Sequence, residues 1–457
     1  MKNKMILTGL LAVIFSTSCN DDRGIPMPVE QTRPEFQALV SPKDSAFAFE
    51  RTAPVQMRFS EPMDPASFPG NFFLYEDEAH TIAVNGTFSA RDNDVFFTPD
   101  NDLLPGHEYF TFLRARVKDI NGNGIDKDTL LVTETEFITD GDYTANGQPE
   151  MAVSNGFEDI VSKAHLVDNR FTADTAVSID GFGRQLEMAY TMDGMKVIMS
   201  DYNSSGSKIY IYNADGWQLE KSFETNSDGQ PIKKSAEIVV SDSKAYVVNQ
   251  SGKTISVLDL TSEAITNEIA LPNTPKGMAI LPDYSKIYVG SARNGQVWIV
   301  NTADNSVEQT LTIEGFSRSV RLAASADGNY IMVREFRGQK LAFIETGGNA
   351  VVSILELGYE AKSGSNNDLA VLGDYVYVGA GSGQLSRIQI STQTLVNEIT
   401  HINFQGLDVF GSGEFVAAVS KSNPPALALI HPETLKILRE IPLPGTAPWD
   451  VAVRPRP

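Results

Sequence analysis

The sequence predicts an all-β protein, a β-sandwich over residues 35–140 followed by a seven-bladed β-propeller over residues 151–457. Two observations carry this. Short runs that alternate apolar with polar residues, punctuated by Pro, Gly, Asn and Asp, fill the first segment, and period-two alternation is what a half-buried strand requires. The second segment repeats a four-strand unit every forty to fifty residues or so, roughly the spacing of propeller blades.

Taken in order, the chain opens with Lys2 and Lys4, an apolar run from Met5 to Phe15, and Ser16-Thr17-Ser18-Cys19. A basic start, a short apolar stretch and a small-residue site read as a signal peptide over residues 1–18, too short to span a membrane as a helix. The site resembles the lipobox of bacterial lipoproteins, with Ser16 and Thr17 in place of its commonest Leu-Ala. That resemblance implies lipid on the thiol and on the new amino group of Cys19, enough acyl chain for stable anchoring. A free thiol on an uncleaved chain is the competing reading. Residues 19–34, with Asn20-Asp21-Asp22 and an aperiodic Pro-containing stretch, read as a tether. The acidic pair resembles the signal that exports many lipoproteins of the Bacteroidetes to the outer face of the outer membrane, and it reads equally as a solvated linker. The expected location is the outer membrane at the cell surface, with its periplasmic face as the alternative.

Cys19 is the only cysteine among 457 residues. With it lipidated, no thiol is left for a disulfide, for catalysis or for metal binding. A formal net charge of −21 sets nucleic acid aside, because like charges repel.

In the first domain Val55-Gln56-Met57-Arg58-Phe59 alternates strictly, and further strands are expected at 71–75, 84–88, 95–98, 109–117 and 130–137. Phe59-Ser60-Glu61-Pro62-Met63-Asp64, Phe97-Thr98-Pro99, Leu104-Pro105-Gly106-His107-Glu108-Tyr109 and Val117-Lys118-Asp119-Ile120-Asn121-Gly122-Asn123 then follow in order. Together they resemble the bacterial Ig-like domain of the SbsA type, which implies a spacer or adhesive module. Asp119, Asn121, Asn123 and Gly124 mimic an EF-hand loop, but Leu130 stands where a bidentate Glu belongs. A tight turn is the better account of them.

A polar linker over residues 141–150 leads to the repeats. The clearest unit has strands at 277–281, 286–290, 296–301 and 307–313, and others start near Leu186, Ala236, Val320, Asp368 and Gly406. Pro448 to Val453 reads as an inner strand with nothing after it, and Met151 to Gly156 begins a sheet with no inner strand before it. The two ends are therefore expected to complete one blade. Lys244-Ala245-Tyr246-Val247-Val248-Asn249, Lys286-Ile287-Tyr288-Val289-Gly290 and Ile299-Val300-Asn301-Thr302 resemble the YVTN family of propellers, related to YncE-like proteins.

His80, His107, His165, His401 and His431 show no metal-ligand spacing, and no nucleophile elbow or phosphate loop appears, so no cofactor, metal or catalytic residue is expected from motifs. Propeller sites are assembled instead at the axial mouth. Starts of inner strands place Arg184, Lys234, Lys276, Arg318, Asn367, Gln405 and Trp449 there, and loops between second and third strands add Tyr202, Asn249, Arg293, Arg337 and Lys421. Their cations suggest a positive mouth for a carboxylate, phosphate or anionic sugar, with Trp449 and Tyr202 as stacking surfaces. The same cations also read as turn residues that pair with the abundant acids. The expected function is a membrane-anchored binding lipoprotein whose propeller captures a small molecule, glycan or partner. Its layout is similar to that of lipoproteins that serve outer-membrane TonB-dependent transporters. A lactonase-like or polysaccharide-active enzyme and a structural or adhesive surface protein are the alternatives.

Overall fold

The computed structural model describes residues 33–455 apart from 44–45, 78, 105–106, 126–130, 140–149, 156–159, 168–169, 179–185, 360–367, 381–382, 401–403, 410–414, 421–423 and 446–447. The signal peptide, Cys19, most of the tether and nearly all of the interdomain linker lie outside the described residues. Among the described residues no helix is long and apolar enough to cross a membrane.

The first domain is a sandwich of two four-stranded sheets. Strands β1 (Phe36–Ser41), β3 (Val55–Phe59), β6 (Asp94–Pro99) and β5 (Gly86–Arg91) form one. Strands β2 (Ala46–Phe49), β8 (Leu131–Thr139), β7 (Glu108–Arg114) and β4 (Phe72–Tyr75) form the other. The alternation in β3 does what it predicts, burying Val55, Met57 and Phe59 and leaving Arg58 outside. Phe59, Phe68, Phe72, Phe97, Tyr109 and Phe137 fill the space between the sheets. The loop after Val117 is a turn. Asp119, buried, accepts the backbone N–H groups of Asn121 at 2.8 Å and Asn123 at 2.7 Å, and Gly122 takes φ +88°, so its carboxylate is spent on the chain itself.

The second domain is a ring of seven four-stranded antiparallel sheets. The inner strands, from blade 1 to blade 7, are Pro448–Val453, Leu186–Tyr190, Ser235–Val240, Pro275–Ile280, Ser319–Ala324, Leu369–Leu372 and Phe404–Val409. Second and third strands are buried almost throughout, as in Lys286–Ser291 and Gln296–Asn301, whereas the outer Ser306–Thr312 is mostly exposed. That gradient follows from each blade burying both faces against its neighbours while only the outermost edge meets water. Non-glycine residues with positive φ recur at the third-to-fourth strand turn of six blades: Trp217, Glu263, Asn305, Asn349, Gln393 and Leu435. Each is followed by a register shift in the hairpin, the type I turn plus bulge that reverses a twisted ribbon. Neighbouring blades are stitched by the second-strand tyrosines. Tyr288 donates to Asn349 Oδ1 at 2.5 Å and Tyr377 to the Pro432 carbonyl at 2.9 Å, each in the next blade.

Blade 1 joins the two ends of the domain. Val451, Ala452 and Val453 pair with Val153, Ala152 and Met151, and that strand continues into Ile160–Val167 and Arg170–Ser178. The sandwich packs on the seam between blades 7 and 1. Ile138 shares a core with Met151, Val153, Phe415, Leu438 and Val451. Lys436 pairs with Glu108 at 3.0 Å and Arg439 with Glu136 at 3.1 Å.

Candidate functional site

One position recurs at every inner strand, inside it in six blades and directly before it in blade 6. It holds Asp450, Glu187, Glu237, Gly277, Arg321, Asp368 and Gly406 in blades 1 to 7, each followed by an apolar residue. In five blades a register shift falls at this position or on the residue just before it, and a bulge re-aims the side chains beside it. The glycines sit where inner strands crowd. A Cβ on Gly277 would lie 2.3 Å from the Val320 carbonyl oxygen, and one on Gly406 would lie 2.8 Å from Asp450 Cα. Two residues further along the same strand face come Ala452, Ala189, Val239, Ala279, Ala323, Ala370 and Asp408, small side chains broken by a single carboxyl.

The charged residues converge on the axis. Arg321, 5% exposed, reaches Glu187 at 3.3 Å and Asp368 at 3.9 Å and is hydrogen-bonded to Glu237. Trp449 Nε1 donates to Glu187 at 3.4 Å. Asp450 accepts from the Met188 amide at 3.3 Å, and Asp368 from the Leu407 amide at 3.2 Å. Burial works against the Arg321 charge, but Glu187, Glu237 and Asp368 hold its pKa well above the usual arginine value. Burial pushes Glu237 up to about 8 against the pull of Arg321, and nearby Glu187 and Asp368 add to the rise. It raises Asp368 as well, and Asp450 far more. Four carboxyl groups thus face one guanidinium and the nearby Lys276 ammonium, and the rise at Glu237, Asp368 and Asp450 eases the excess of negative charge. Asp408, in the layer below, is raised to about 7 by burial, opposed by the Val453 amide that it accepts at 2.6 Å.

The structure brings only part of the expected set together. Lys276 reaches the axis with its Nζ 5.3 Å from the centre of the Tyr202 ring, and Tyr202 donates to Gln250 at 3.0 Å. Trp449 also reaches the axis but is 4% exposed, so it supports Glu187 and offers no open stacking face. Asn249 is buried inside blade 3, donating to Ser256 at 2.7 Å. Lys234 acts through its backbone, its amide donating to the Asn203 carbonyl at 3.0 Å with φ at +55°. Arg318 and Arg337 flank Phe336 at 5.1 and 5.3 Å, and Arg293 stands exposed near Tyr202. Arg184, Asn367 and Lys421 lie outside the described residues, as does the side chain of Gln405.

The expected ring of cations is therefore corrected. Among the described residues the cations form a partial rim over blades 3 to 5, and the axis beneath is built from carboxylates around Arg321. Sequence reading missed Glu187, Glu237, Arg321, Asp368 and Asp450. The repeats carry the signal that would have found them: a charge or glycine directly before Val451, Met188, Ile238, Met278, Leu322, Leu369 and Leu407, the aligned apolar residue of each inner strand. Among the described residues no group of acidic, His or Cys side chains has the geometry of a metal site.

Residues 30–139 match the bacterial Ig-like domain family. Among solved structures, a proposed 6-phosphogluconolactonase from Bacteroides fragilis is 11% identical with a TM-score of 0.55, over 68% of this chain and 99% of that one. The hydrazine synthase of Kuenenia stuttgartiensis is 15% identical with a TM-score of 0.47, over 56% of this chain and 80% of that one. No curated protein sequence matches the chain. At 11% identity the likeness to the Bacteroides fragilis structure speaks to the fold alone, and it agrees with the propeller.

Proposed function

We propose that this chain is an extracytoplasmic binding lipoprotein, anchored through Cys19, whose propeller captures a small polar ligand at its axial mouth. One observation carries the reading. Charged side chains from five different blades meet on the axis, where blade packing alone asks for small apolar ones. Replacing such a buried ionic group by well-packed apolar residues is often neutral or stabilising, so packing does not account for it. The basic start, apolar run and single cysteine support the anchor. An outer-membrane transporter of the TonB-dependent class is the partner this layout suits.

Two experiments test it. Incorporation of a palmitate analogue in cells should disappear in Cys19→Ala, and protease added to whole cells should degrade the wild-type protein if it faces outward. Titrating the full chain with neutral, anionic and cationic sugars and amino acids should raise the melting temperature for at least one compound. A flat response across the panel overturns ligand capture.

A propeller enzyme is the second reading, favoured by the Glu237 carboxyl being pushed up to about 8, within reach of general acid–base work at neutral pH. Turnover of a sugar lactone that vanishes in Glu237→Gln would select it.

A further inference from the structure

Among the described residues Lys276 is the one cation at the axis that forms no ion pair within the cluster. Among the described residues no carboxylate lies within ion-pairing distance of it, whereas Arg321 beside it takes Glu187, Glu237 and Asp368. Its position is fixed from two sides. Gly277 lets the inner strand of blade 4 press against Val320 of blade 5, which sets Lys276 next to Arg321. The Tyr202 ring, anchored through its hydroxyl to Gln250, lies 5.3 Å from the ammonium. Burial and the Arg321 charge lower the pKa of Lys276 by more than Glu187 and Glu237 raise it, so an anion placed directly beside it would be welcomed.

The surroundings narrow what that anion belongs to. Arg321, Glu187, Trp449 and Asp450 are buried, whereas Glu237, Asp368, Lys276 and Tyr202 keep part of their surface open. Of the described residues at the axis, a ligand entering the mouth therefore meets two carboxyl groups, one ammonium and one phenol. With four carboxyl groups around two cations, the described part of the mouth has no spare positive charge for a second anionic group, and its carboxyls exchange hydrogen bonds with hydroxyls. The exposed Arg293, Arg318 and Arg337 on blades 4 and 5 steer an anion toward the Lys276 side.

Building on ligand capture at the same mouth, we propose that the axial site takes a hydroxylated monocarboxylate of the sugar-acid class. The Lys276 ammonium receives the carboxylate, and Glu237 and Asp368 receive hydroxyl groups.

Calorimetric titration of the full chain tests this with four probes: D-glucuronate, D-glucose, D-glucosamine and inorganic phosphate. Glucuronate should bind at least tenfold more tightly than glucose or phosphate, and its affinity should fall as salt is raised. Lys276→Met should cost glucuronate tenfold or more while leaving glucose unchanged, and Lys276→Arg should restore part of the loss. If Lys276→Met fails to fold, the arginine variant and the salt series carry the test. Glucose or glucosamine binding as tightly as glucuronate, or Lys276→Met binding glucuronate normally, overturns the sugar-acid assignment but leaves ligand capture standing. Phosphate binding as tightly as glucuronate removes the role of the hydroxyls. Silence from all four probes overturns the sugar-acid assignment, and ligand capture then stands or falls on the broader melting panel.

Discussion

Blades 4 and 1 are built to the same plan and closed in different ways. In blade 4 the strands Pro275–Ile280, Lys286–Ser291, Gln296–Asn301 and Ser306–Thr312 follow one another through short turns. Blade 1 takes its inner strand from the end of the chain and its other three from the start of the domain. Pairing Val453 with Met151 closes a loop of about 300 residues, which costs about 3 kcal/mol more chain entropy than a ten-residue loop. The two blades also differ at the axis, where blade 4 contributes Gly277 and blade 1 contributes Asp450. Among the described residues, the closing blade and its neighbour, blade 7, carry the sandwich domain against them. A ring sealed by noncovalent pairing is braced where its sealing is most costly.

Removing the inner strand of blade 1 should break this arrangement outright. A chain ending before Pro448 exposes the edge of Glu150–Asn155 and uncovers Met151 and Val153. It should lose cooperative unfolding and become protease-sensitive throughout the propeller. A melting profile indistinguishable from the intact chain would mean that closure does not hold the ring.

Next in size is Arg321→Met. It leaves Glu187, Glu237 and Asp368 without their shared cation, at a cost of about 3–5 kcal/mol at neutral pH. The loss should shrink in mild acid as the carboxyls protonate. Denaturant titrations at two pH values measure both.

A smaller effect separates brace from spacer. Ile138 is 1% exposed in the seam core, so Ile138→Ala should destabilise the propeller by about 2–4 kcal/mol if the sandwich is part of the closure. Gln309→Ala on the exposed outer strand of blade 4 serves as the control and should change little. If Ile138→Ala lowers only a separate sandwich transition, the two domains unfold independently.

Most of this architecture is written in the sequence, and the site is written one to three residues out of phase. Alternation exposed Val55–Phe59, and the repeat exposed every blade, because burial on fixed faces leaves periodic traces. The edge strands Phe36–Ser41 and Ala46–Phe49 were not assigned individually, because their runs are short and β1 is half open to water. The axial residues escaped for a different reason. Inner strands bulge just where they start, and counting back from the strand start lands on Lys234, Arg318 or Trp449 in place of Glu237, Arg321 or Asp450. Docking of the sandwich onto the seam left no trace either. Ile138, Glu108 and Lys436 are ordinary strand and turn residues until three-dimensional proximity makes them partners.

The finest test concerns Asp408, the carboxyl that interrupts the layer of small side chains. Its folded pKa of about 7 lies above the ordinary 3.8 of an aspartate, so between those values the native state holds a proton that the unfolded chain has released. Stability from this group is therefore complete below pH 4 and drains away as pH rises through about 7. Asp408→Asn removes the titration. It keeps an acceptor for the Val453 amide, now 2.6 Å from the carboxylate, but must turn its amide toward the Val409 N–H that the second oxygen accepts at 2.8 Å. The variant should therefore be about 1 kcal/mol less stable than wild type at pH 5, and the gap should close or reverse by pH 8. Melting curves from pH 4 to pH 9 with the same slope in both proteins would mean that Asp408 is ionised in the folded ring, and that another group, with Glu237 the first to examine, sets its pH dependence.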